Sequence, residues 1–306
     1  MTQDQRNITN SELQAFKQCK RQWYLGYYRR LGKRRQDGSE RAATTGTLVH
    51  DSLEAYYKDP NRDASQVIQA FRMRRTTDPD AATYEKEYAL ADAMIEGYFE
   101  WLAETGADQG LDIYAVESKI TCPAPSPFDE QGVVLLGKLD LIASRNDILY
   151  VLDHKTVQGF SDIISMLPMN EQSRHYAVIQ RRNNPDRPIQ GSIWNMLRKV
   201  KRSNRSKPPY FMRSEIVWSD AQLAVFWRRL HGEITELLRL EAMLNDGADH
   251  HVVAYPTPST DCHWKCPFYA VCPHMDDPRT DSEMLIDVMY VEWNPLERYE
   301  SLEETR

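Results

Sequence analysis

Hydrophobic and polar positions follow two different periods along the chain. Residues 83–104 place Ala91, Met94 and Tyr98 at helical spacing, and Gly106 is typical of a helix end. Farther along, short β-rich apolar runs are separated by Pro, Asp, Gly and Asn. The pattern predicts helices over 11–28, 47–57, 64–74, 83–104, 160–182 and 219–245, and strands over 112–120, 133–143, 147–154, 189–197 and 209–217. Helices followed by a compact sheet with further helices predict an α/β or α+β fold.

The sequence also predicts where the first helix begins and ends and that a loop follows it. Ser11 and Gln14 form a candidate capping box, and Leu13, Phe16, Trp23 and Tyr24 supply apolar positions through residue 28. Residues 30–45 are polar and basic and predict a loop.

The composition is that of a globular protein, with 41% hydrophobic and 27% charged residues in 306. No apolar run approaches the ~18 residues that a membrane helix needs. The first residues carry no basic start followed by an apolar stretch, so we expect no signal peptide, a cytoplasmic location and no membrane partner.

Charge is segregated along the chain, although the net charge is −7. Residues 17–35 hold eight Lys or Arg and no acid, and 198–207 hold six and no acid. The segment after Cys272 has ten acidic residues against three Arg. Two basic patches are candidate nucleic-acid surfaces, and solvated surface is the alternative for either patch taken alone.

A candidate catalytic pair ends an apolar strand. In ILYVLDHKT (148–156), Asp153 and Lys155 are two residues apart and point to one face of a strand. The carboxylate could hold a divalent cation, and the ammonium could orient water or offset phosphate charge. Taken alone, this pair is weak evidence for catalysis, because many strands end in an acidic and a basic residue at this spacing.

Asp140 lies on the preceding predicted strand. A hairpin through 144–147 would place it beside Asp153, provided that the register permits. Two close carboxylates repel unless a cation lies between them, and their hard oxygens favour Mg²⁺ or Mn²⁺. The alternative is that Asp140 is a structural turn residue.

Three further candidates lie on predicted helices. His50 could supply a third metal ligand, although a lone helical His is usually a surface or core residue. Gln172 and Tyr176 are four residues apart and share a helix face.

The order Gly46-x-x-x-His50, Gly137-x-x-Asp140, Asp153-x-Lys155, Gln172-x-x-x-Tyr176 resembles the RecB-like branch of the PD-(D/E)XK nuclease superfamily. The resemblance covers about residues 11–275. It implies a restriction-endonuclease-like mixed sheet flanked by helices, a metal bound by His50, Asp140 and Asp153, and Lys155 as the catalytic lysine. It also implies that Gln172 and Tyr176 contact DNA, and Glu117 is a further candidate that assists.

Three cysteines crowd into Cys262-x₃-Cys266-x₅-Cys272, which favours a metal site over a disulfide framework. Cys19 is the candidate fourth ligand, since Cys122 is predicted in a Pro-rich turn. One distant N-terminal cysteine with this C-terminal triplet resembles the iron–sulfur branch of the superfamily, which includes AddB-type subunits and CRISPR-adaptation exonucleases. This resemblance implies a structural [4Fe–4S] cluster. Zinc is the alternative, because His263 and His274 lie near the cysteines. Family members often have Pro directly after the first cysteine, where this chain has Lys20. This departure argues slightly against Cys19 as the fourth ligand.

We therefore expect one nuclease domain over 1–306. Its segments are an N-terminal arm (1–45) with Cys19, a nuclease core (46–250) with a helical insert (60–106), a cluster segment (251–280) and an acidic tail (281–306). The expected function is metal-dependent DNA hydrolysis, with exonuclease action on single strands or DNA ends. Arg198, Lys199, Lys201 and Arg202 are expected to bind DNA, and residues 17–35 to line its path.

Two alternatives remain open. One is a non-catalytic DNA-binding or scaffold subunit of a repair or recombination complex. The other is a structure-specific nuclease that acts on flaps or RNA and carries a zinc site. A helicase or recombination protein is the expected partner beside DNA.

Overall fold

The computed structural model describes residues 5–34, 44–203 and 205–300. The chain divides into two compact units, each assembled from separate stretches. The first unit contains residues 1–38, 121–137 and 224–302, and the second contains 39–120, 138–223 and 303–306. The predicted single domain and its segment boundaries stay a prediction.

The strands form a mixed sheet and a small two-stranded ribbon. The strands are β1 (Arg6–Thr9), β2 (Leu31–Lys33), β3 (Asp112–Pro123), β4 (Val133–Arg145), β5 (Ile148–Val157), β6 (Gly191–Arg198), β7 (Phe211–Val217) and β8 (Tyr290–Glu292). The sheet order is β1-β4-β5-β6-β7, with β3 on β4, and the ribbon pairs β2 with β8. The pairs β4–β5 and β6–β7 are antiparallel, whereas β5–β6 is parallel. The predicted α/β class with a mixed sheet is confirmed.

Up to residue 245 the helices agree with the helical periods of the sequence, except at two interruptions described below, whereas the four described helices after residue 245 were not predicted. They are α1 (Asn10–Gln18), α2 (Lys20–Trp23), α3 (Thr45–Lys58), α4 (Ala64–Thr77), α5 (Glu85–Thr105), α6 (Ser161–Met166), α7 (Glu171–Asn183), α8 (Asp220–Asn245), α9 (His250–Val253), α10 (Cys262–Lys265), α11 (Ser282–Met289) and α12 (Glu297–Glu300). Gly106 ends α5 in the left-handed conformation, as its position predicts. No helix in the described ranges is both long and apolar enough to cross a bilayer.

The sheet of the second unit is covered on both faces. Alternate residues of β6 point to opposite sides, so Ile193 and Leu197 join a core with α3, α4 and α5. Trp194 and Met196 instead pack with Val157 and with residues of α6. Burial on both faces fixes the strand register, since a one-residue slip would exchange the two sets. That register positions the candidate catalytic residues.

The first predicted helix, 11–28, is interrupted at its centre. Cys19 adopts an extended conformation (φ −161°, ψ 115°), which ends α1 and starts α2, and a π-helical turn follows over Tyr24–Tyr28. The capping box expected from Ser11 and Gln14 is wrong. Instead, the Thr9 hydroxyl accepts a hydrogen bond of 3.2 Å from the backbone N–H of Glu12.

The second interruption divides the predicted helix 160–182. A 3₁₀ turn over Leu167–Met169 separates α6 from α7, because Pro168 has no N–H for a continuous helix. Asn170 then caps α7 by accepting a hydrogen bond of 2.9 Å from the Ser173 N–H. In the predicted loop 30–45, the described residues include the short strand β2, and residues 35–43 lie outside the described part.

The basic stretch 17–35 is largely engaged within the first unit. Its ion pairs are Arg21–Asp276 at 2.7 Å, Arg29–Glu283 at 2.8 Å and Lys17–Glu233 at 3.0 Å. Arg34 donates to the backbone carbonyl of Asp287 at 3.2 Å, and Arg35 lies outside the described residues. The expectation that this stretch lines the DNA path is therefore wrong for Arg21, which is 2% exposed. Lys17 and Arg29 would have to leave their ion pairs to contact DNA. Basic and acidic stretches that are distant in sequence neutralise each other here.

Candidate active site

The predicted hairpin brings Asp140 and Asp153 to opposing positions of β4 and β5. Leu141 pairs with Leu152 in the antiparallel ladder, so the next opposing pair is Asp140 with Asp153. The Asp140 carboxylate accepts a hydrogen bond of 2.7 Å from the backbone N–H of His154. Asp153 is 4% exposed. The strands therefore hold two carboxylates together with little access to bulk water.

Lys155 lies on the same face of β5 and pairs with Asp153, with an Nζ to Oδ2 distance of 2.6 Å. Gln172, on α7, bridges the two. Its amide oxygen accepts from Lys155 at 3.2 Å, and its amide N–H donates to Asp153 at 3.4 Å and to the Tyr176 hydroxyl at 3.0 Å. Tyr176 is 5% exposed, and its hydroxyl is one of the partners of Gln172. The four-residue spacing on one helix face is confirmed.

His50, on α3, lies beside Asp140, with 3.6 Å between Nδ1 and the carboxylate Oδ2. Burial lowers the pKa of His50, which favours the neutral imidazole that binds metals. The structure therefore places His50 beside Asp140, although the ligand atoms of His50, Asp140 and Asp153 do not all lie within 4.8 Å of one another among the described residues.

Glu117, on β3, is placed at the edge of this group. Its carboxylate pairs with Lys138 at 2.6 Å, and burial raises its pKa. Its backbone has φ +48°, a left-handed conformation that costs energy for a residue with a side chain and is common at functional sites.

The carboxylates lack sufficient compensation for their charge. Burial, and then the nearby charge of Asp153, raises the pKa of Asp140 to about 7. Lys155 and, to a smaller extent, Lys138 offset part of this repulsion. Closely spaced, buried carboxylate oxygens with a neighbouring imidazole fit a hard divalent ion such as Mg²⁺ or Mn²⁺.

A buried polar network behind the site was missed by the sequence reasoning. His154 points to the opposite face from Asp153 and Lys155, and its Nδ1 lies 2.8 Å from the Asn195 amide nitrogen. The Asn195 oxygen accepts from Arg213 Nε at 3.1 Å. Arg213 also donates to Tyr57, Tyr98 and Asp108 at 2.9, 2.9 and 2.6 Å. The signal was available, since Asn195 interrupts an apolar strand.

The basic connection after β6 presents its four predicted residues unequally. Lys201 is exposed and Lys199 half-buried. Arg202 pairs with Glu100 at 2.6 Å, and Arg198 donates to the carbonyl of Lys207 at 3.0 Å. The two lysines are therefore better placed than the two arginines to meet a phosphate.

Four cysteines line one cavity of about 290 Å³ in the first unit: Cys19, Cys262, Cys266 and Cys272. Backbone N–H groups of Thr257 and Ser259 donate to the sulfur atoms of Cys19 and Cys262 at 3.4 and 3.3 Å. Cys122 does not line this cavity. It is 2% exposed and lies within β3 rather than in a turn. The cavity brings Cys19 to the C-terminal triplet, as the spacing of the cysteines suggests.

Arg21 is the buried cation beside this cavity. It donates to the Cys272 sulfur at 3.8 Å and to both carboxylate oxygens of Asp276 at 3.0 and 2.7 Å. Burial raises the pKa of the Cys266 and Cys272 thiols, so the cavity by itself disfavours free thiolates. A metal group that binds thiolates would remove that penalty. The donor set, the enclosed volume and the adjacent guanidinium fit such a group.

The family model of the PD-(D/E)XK nuclease superfamily matches residues 7–273, and the chain therefore belongs to this superfamily. The matched range contains Asp140, Asp153 and Lys155. Comparison with curated proteins gave no match.

Three solved structures are similar to parts of this chain. A candidate exonuclease from Eubacterium rectale is 11% identical with a TM-score of 0.46, and covers 77% of this chain and 81% of its own. The protein SSO0001 is 17% identical with a TM-score of 0.32, covering 74% and 95%. An alkaline exonuclease from Laribacter hongkongensis is 14% identical with a TM-score of 0.30, covering 65% and 90%. The assignment to the superfamily comes from the family model alone.

Proposed function

We propose that this member of the nuclease superfamily hydrolyses DNA phosphodiester bonds with Mg²⁺ or Mn²⁺, as an exonuclease on single strands or DNA ends. One observation carries the proposal. Two carboxylates occupy opposing strand positions, and Lys155 is held against one of them by Gln172. A module that only binds DNA has no use for two repelling, buried carboxylates. The scaffold alternative is therefore the weaker one.

Each residue has a distinct part in the proposed reaction. Asp140, Asp153 and His50 hold the ion, which when bound polarises the phosphate and lowers the pKa of a water molecule. Lys155 orients the attacking water and offsets the charge that develops on the phosphate. Gln172 fixes the position of Lys155, and Tyr176 fixes Gln172 through their hydrogen bond.

Two further parts are proposed around this centre. The ion pair with Lys138 holds Glu117 beside the ligand group, from which it assists metal binding. Lys199 and Lys201 bind the DNA backbone, with smaller contributions from Arg198 and Arg202. A helicase or recombination protein as partner stays a prediction.

A cleavage assay on matched substrates tests the proposal. Linear and circular single-stranded DNA, blunt duplex, flap DNA and single-stranded RNA, each with Mg²⁺ or Mn²⁺, separate the alternatives. We expect linear single strands to be degraded and circular ones to resist, because an exonuclease needs an end. Cleavage of circles would indicate an endonuclease, preference for flaps or RNA would favour the structure-specific alternative, and binding without any cleavage would favour the scaffold. Asp153→Asn, which nearly keeps the side-chain shape, is the control for contaminating nucleases.

We also propose that the four-cysteine cavity binds a structural [4Fe–4S] cluster. Four thiolate donors in one enclosed volume, backbone N–H groups aimed at two sulfur atoms and a buried guanidinium beside a third support this proposal. The guanidinium would offset the negative charge of a thiolate-ligated cluster.

Sulfur spacing favours iron–sulfur over zinc. Among the described residues, no three cysteine sulfur atoms lie within 4.8 Å of one another. One tetrahedral zinc with bonds of ~2.3 Å would draw its sulfur ligands to about 3.8 Å apart. A [4Fe–4S] cubane binds each thiolate through a different iron, so its four cysteine sulfur atoms lie farther apart than those around one zinc. Anaerobically purified protein should be brown with about four irons per chain. A colourless protein that contains one zinc per chain would contradict the cluster proposal and indicate a zinc site instead. The nuclease proposal would be unaffected.

A further inference from the structure

A second group of candidate metal ligands lies in the first unit, apart from the cysteine cavity. Asp249, His250 and His251 stand at the start of α9. One ligand atom from each, a carboxylate oxygen and two ring nitrogens, lies within 4.8 Å of the others. It is the one group of three His, Cys, Asp or Glu residues in residues 5–34, 44–203 and 205–300 whose ligand atoms meet this closely.

The two imidazoles are held in position by their surroundings. The His250 ring stacks on Tyr24, with centroids 5.0 Å apart and planes inclined by 23°. The centroids of His250 and His251 are 4.1 Å apart. The backbone N–H of His251 donates to the Asp249 carboxylate at 2.8 Å, which fixes the third side chain. The three ligands are thus ordered by contacts that need no metal.

An unsatisfied ring nitrogen points to a missing partner. The Nδ1 atom of His250 is buried and makes no hydrogen bond within the described structure. A buried polar nitrogen without a partner costs about 1–3 kcal/mol, so its retention needs an explanation. Coordination to a metal ion would satisfy it.

Asp276 places a carboxylate near the imidazole of His251. Its Oδ1 lies 3.9 Å from His251 Nδ1, and Arg21 holds both of its oxygens. At this distance the Asp276 carboxylate makes no hydrogen bond to the ring, and it favours positive charge at His251 and its metal only through its own charge.

We propose that Asp249, His250 and His251 bind one transition-metal ion of the zinc type, with water completing the coordination. Two imidazoles and one carboxylate suit Zn²⁺, whereas Mg²⁺ favours sites in which carboxylate oxygens outnumber nitrogen ligands. The ion ties the start of α9 to Tyr24 and, through Asp276 and Arg21, to the segment that carries Cys272. Its role is structural, and it stabilises the first unit independently of the cysteine ligands.

The test uses tag-free, cluster-loaded protein with Mg²⁺ in excess, so that the catalytic carboxylates are occupied. Calorimetric titration with Zn²⁺ should show one saturable site, and His251→Gln should weaken it at least about tenfold. His263→Gln is the matched control, because His263 is an exposed histidine next to a proposed cluster ligand. It should bind Zn²⁺ as the wild type does.

A spectroscopic titration with Co²⁺ identifies the ligand type. Binding at this site should give the visible bands of nitrogen and oxygen coordination without a thiolate-to-cobalt charge-transfer band, and His250→Gln should abolish them. Zn²⁺ binding that survives in His251→Gln, a thiolate charge-transfer band, or no saturable binding by the wild type would each overturn the proposal. His251 is 43% exposed in its side chain, so its replacement should leave the fold intact.

Discussion

The catalytic group and the cysteine cavity collect their ligands in opposite ways. Asp140 and Asp153 occupy opposing positions of two consecutive strands, and cores on both faces fix the register of that sheet. Cys19 instead meets a triplet more than two hundred residues later in the sequence, among short helices and turns. The sheet positions the first group of residues, whereas the proposed cluster would in part hold the second.

The difference predicts different responses to loss of the bound group. Because the sheet positions Asp140 and Asp153, the protein should keep its fold when the ion is removed. Removal of the ion leaves the two carboxylates to repel each other. A group that joins distant segments removes chain entropy from the unfolded state, so its loss lowers stability. Activity should therefore depend on the first site, and stability on the second.

The largest expected effect is loss of cleavage on removal of the catalytic pair. Asp153→Ala and Lys155→Ala should each lower the cleavage rate by at least about 10²-fold, because a group that stabilises transition-state charge is lost. DNA binding, measured by fluorescence anisotropy, should stay close to wild type, and so should the thermal midpoint. His50→Ala should retain weak activity if the two carboxylates still hold an ion. Wild-type turnover by purified Asp153→Ala or Lys155→Ala would remove these residues from the site.

The opposite pattern is expected for the cysteine cavity. Cys19→Ala should lose most of its iron and become sensitive to proteases near both ends of the chain, because the covalent link between the segments is broken. Cys122→Ala is the matched control, since Cys122 is buried but lies outside the cavity. Full iron content in Cys19→Ala would contradict the four-cysteine assignment.

The buried network behind β5 should carry much of the stability of the second unit. Asn195→Ala removes one hydrogen bond each from His154, Tyr98 and Arg213, and should lower the free energy of unfolding by about 2–4 kcal/mol. Urea denaturation measures this. Gln69→Ala, at an exposed position of α4, should change stability by less than about 0.5 kcal/mol. Equal effects of the two substitutions would mean that the network is not what stabilises this unit.

Metal binding at the carboxylates should depend on pH in the neutral range. The pKa of Asp140 is raised to about 7, so below that value a proton must leave before the ion binds. Affinity for Mn²⁺ should then fall up to about tenfold per pH unit below 7 and level off above it. The metal-free folded protein binds this proton more tightly than the unfolded chain, so its stability should fall as the pH rises from about 4 to 7. Calorimetry at several pH values checks the first expectation, and an affinity that does not vary would contradict it.

The sequence predicted the placement of Asp140, Asp153 and Lys155 well because these residues are close in sequence. A short hairpin, with Asn146 and Asp147 at positive φ in the turn, leaves little freedom for the register, so Asp140 and Asp153 had to meet once the strands were recognised. Alternation along β5 then placed Lys155 on the same face. Such inferences need only local geometry.

Features that depend on distant contacts were not accessible in this way. The apolar positions around Cys19 fit a continuous helix, and only packing against the later segment makes an extended residue there favourable. The same holds for Arg21 and Arg29, whose charge pattern suggested a DNA surface until Asp276 and Glu283 proved to be their partners. A run of basic residues shows which side chains need a negatively charged partner, but it does not show whether that partner is DNA or an acidic residue elsewhere in the chain.

The smallest expected effect concerns the basic connection after β6 and separates free from paired cations. The double substitution Lys199→Ala and Lys201→Ala should weaken binding to single-stranded DNA and lower the slope of log K against log salt by about 1.4, since each phosphate contact contributes about 0.7. Arg202→Ala should change the slope less, because Arg202 already pairs with Glu100 at 2.6 Å. Binding measured by anisotropy over a range of salt concentrations gives both slopes. An unchanged slope in the double variant would mean that this connection faces solvent rather than DNA, and a larger change in Arg202→Ala would mean that DNA displaces Glu100.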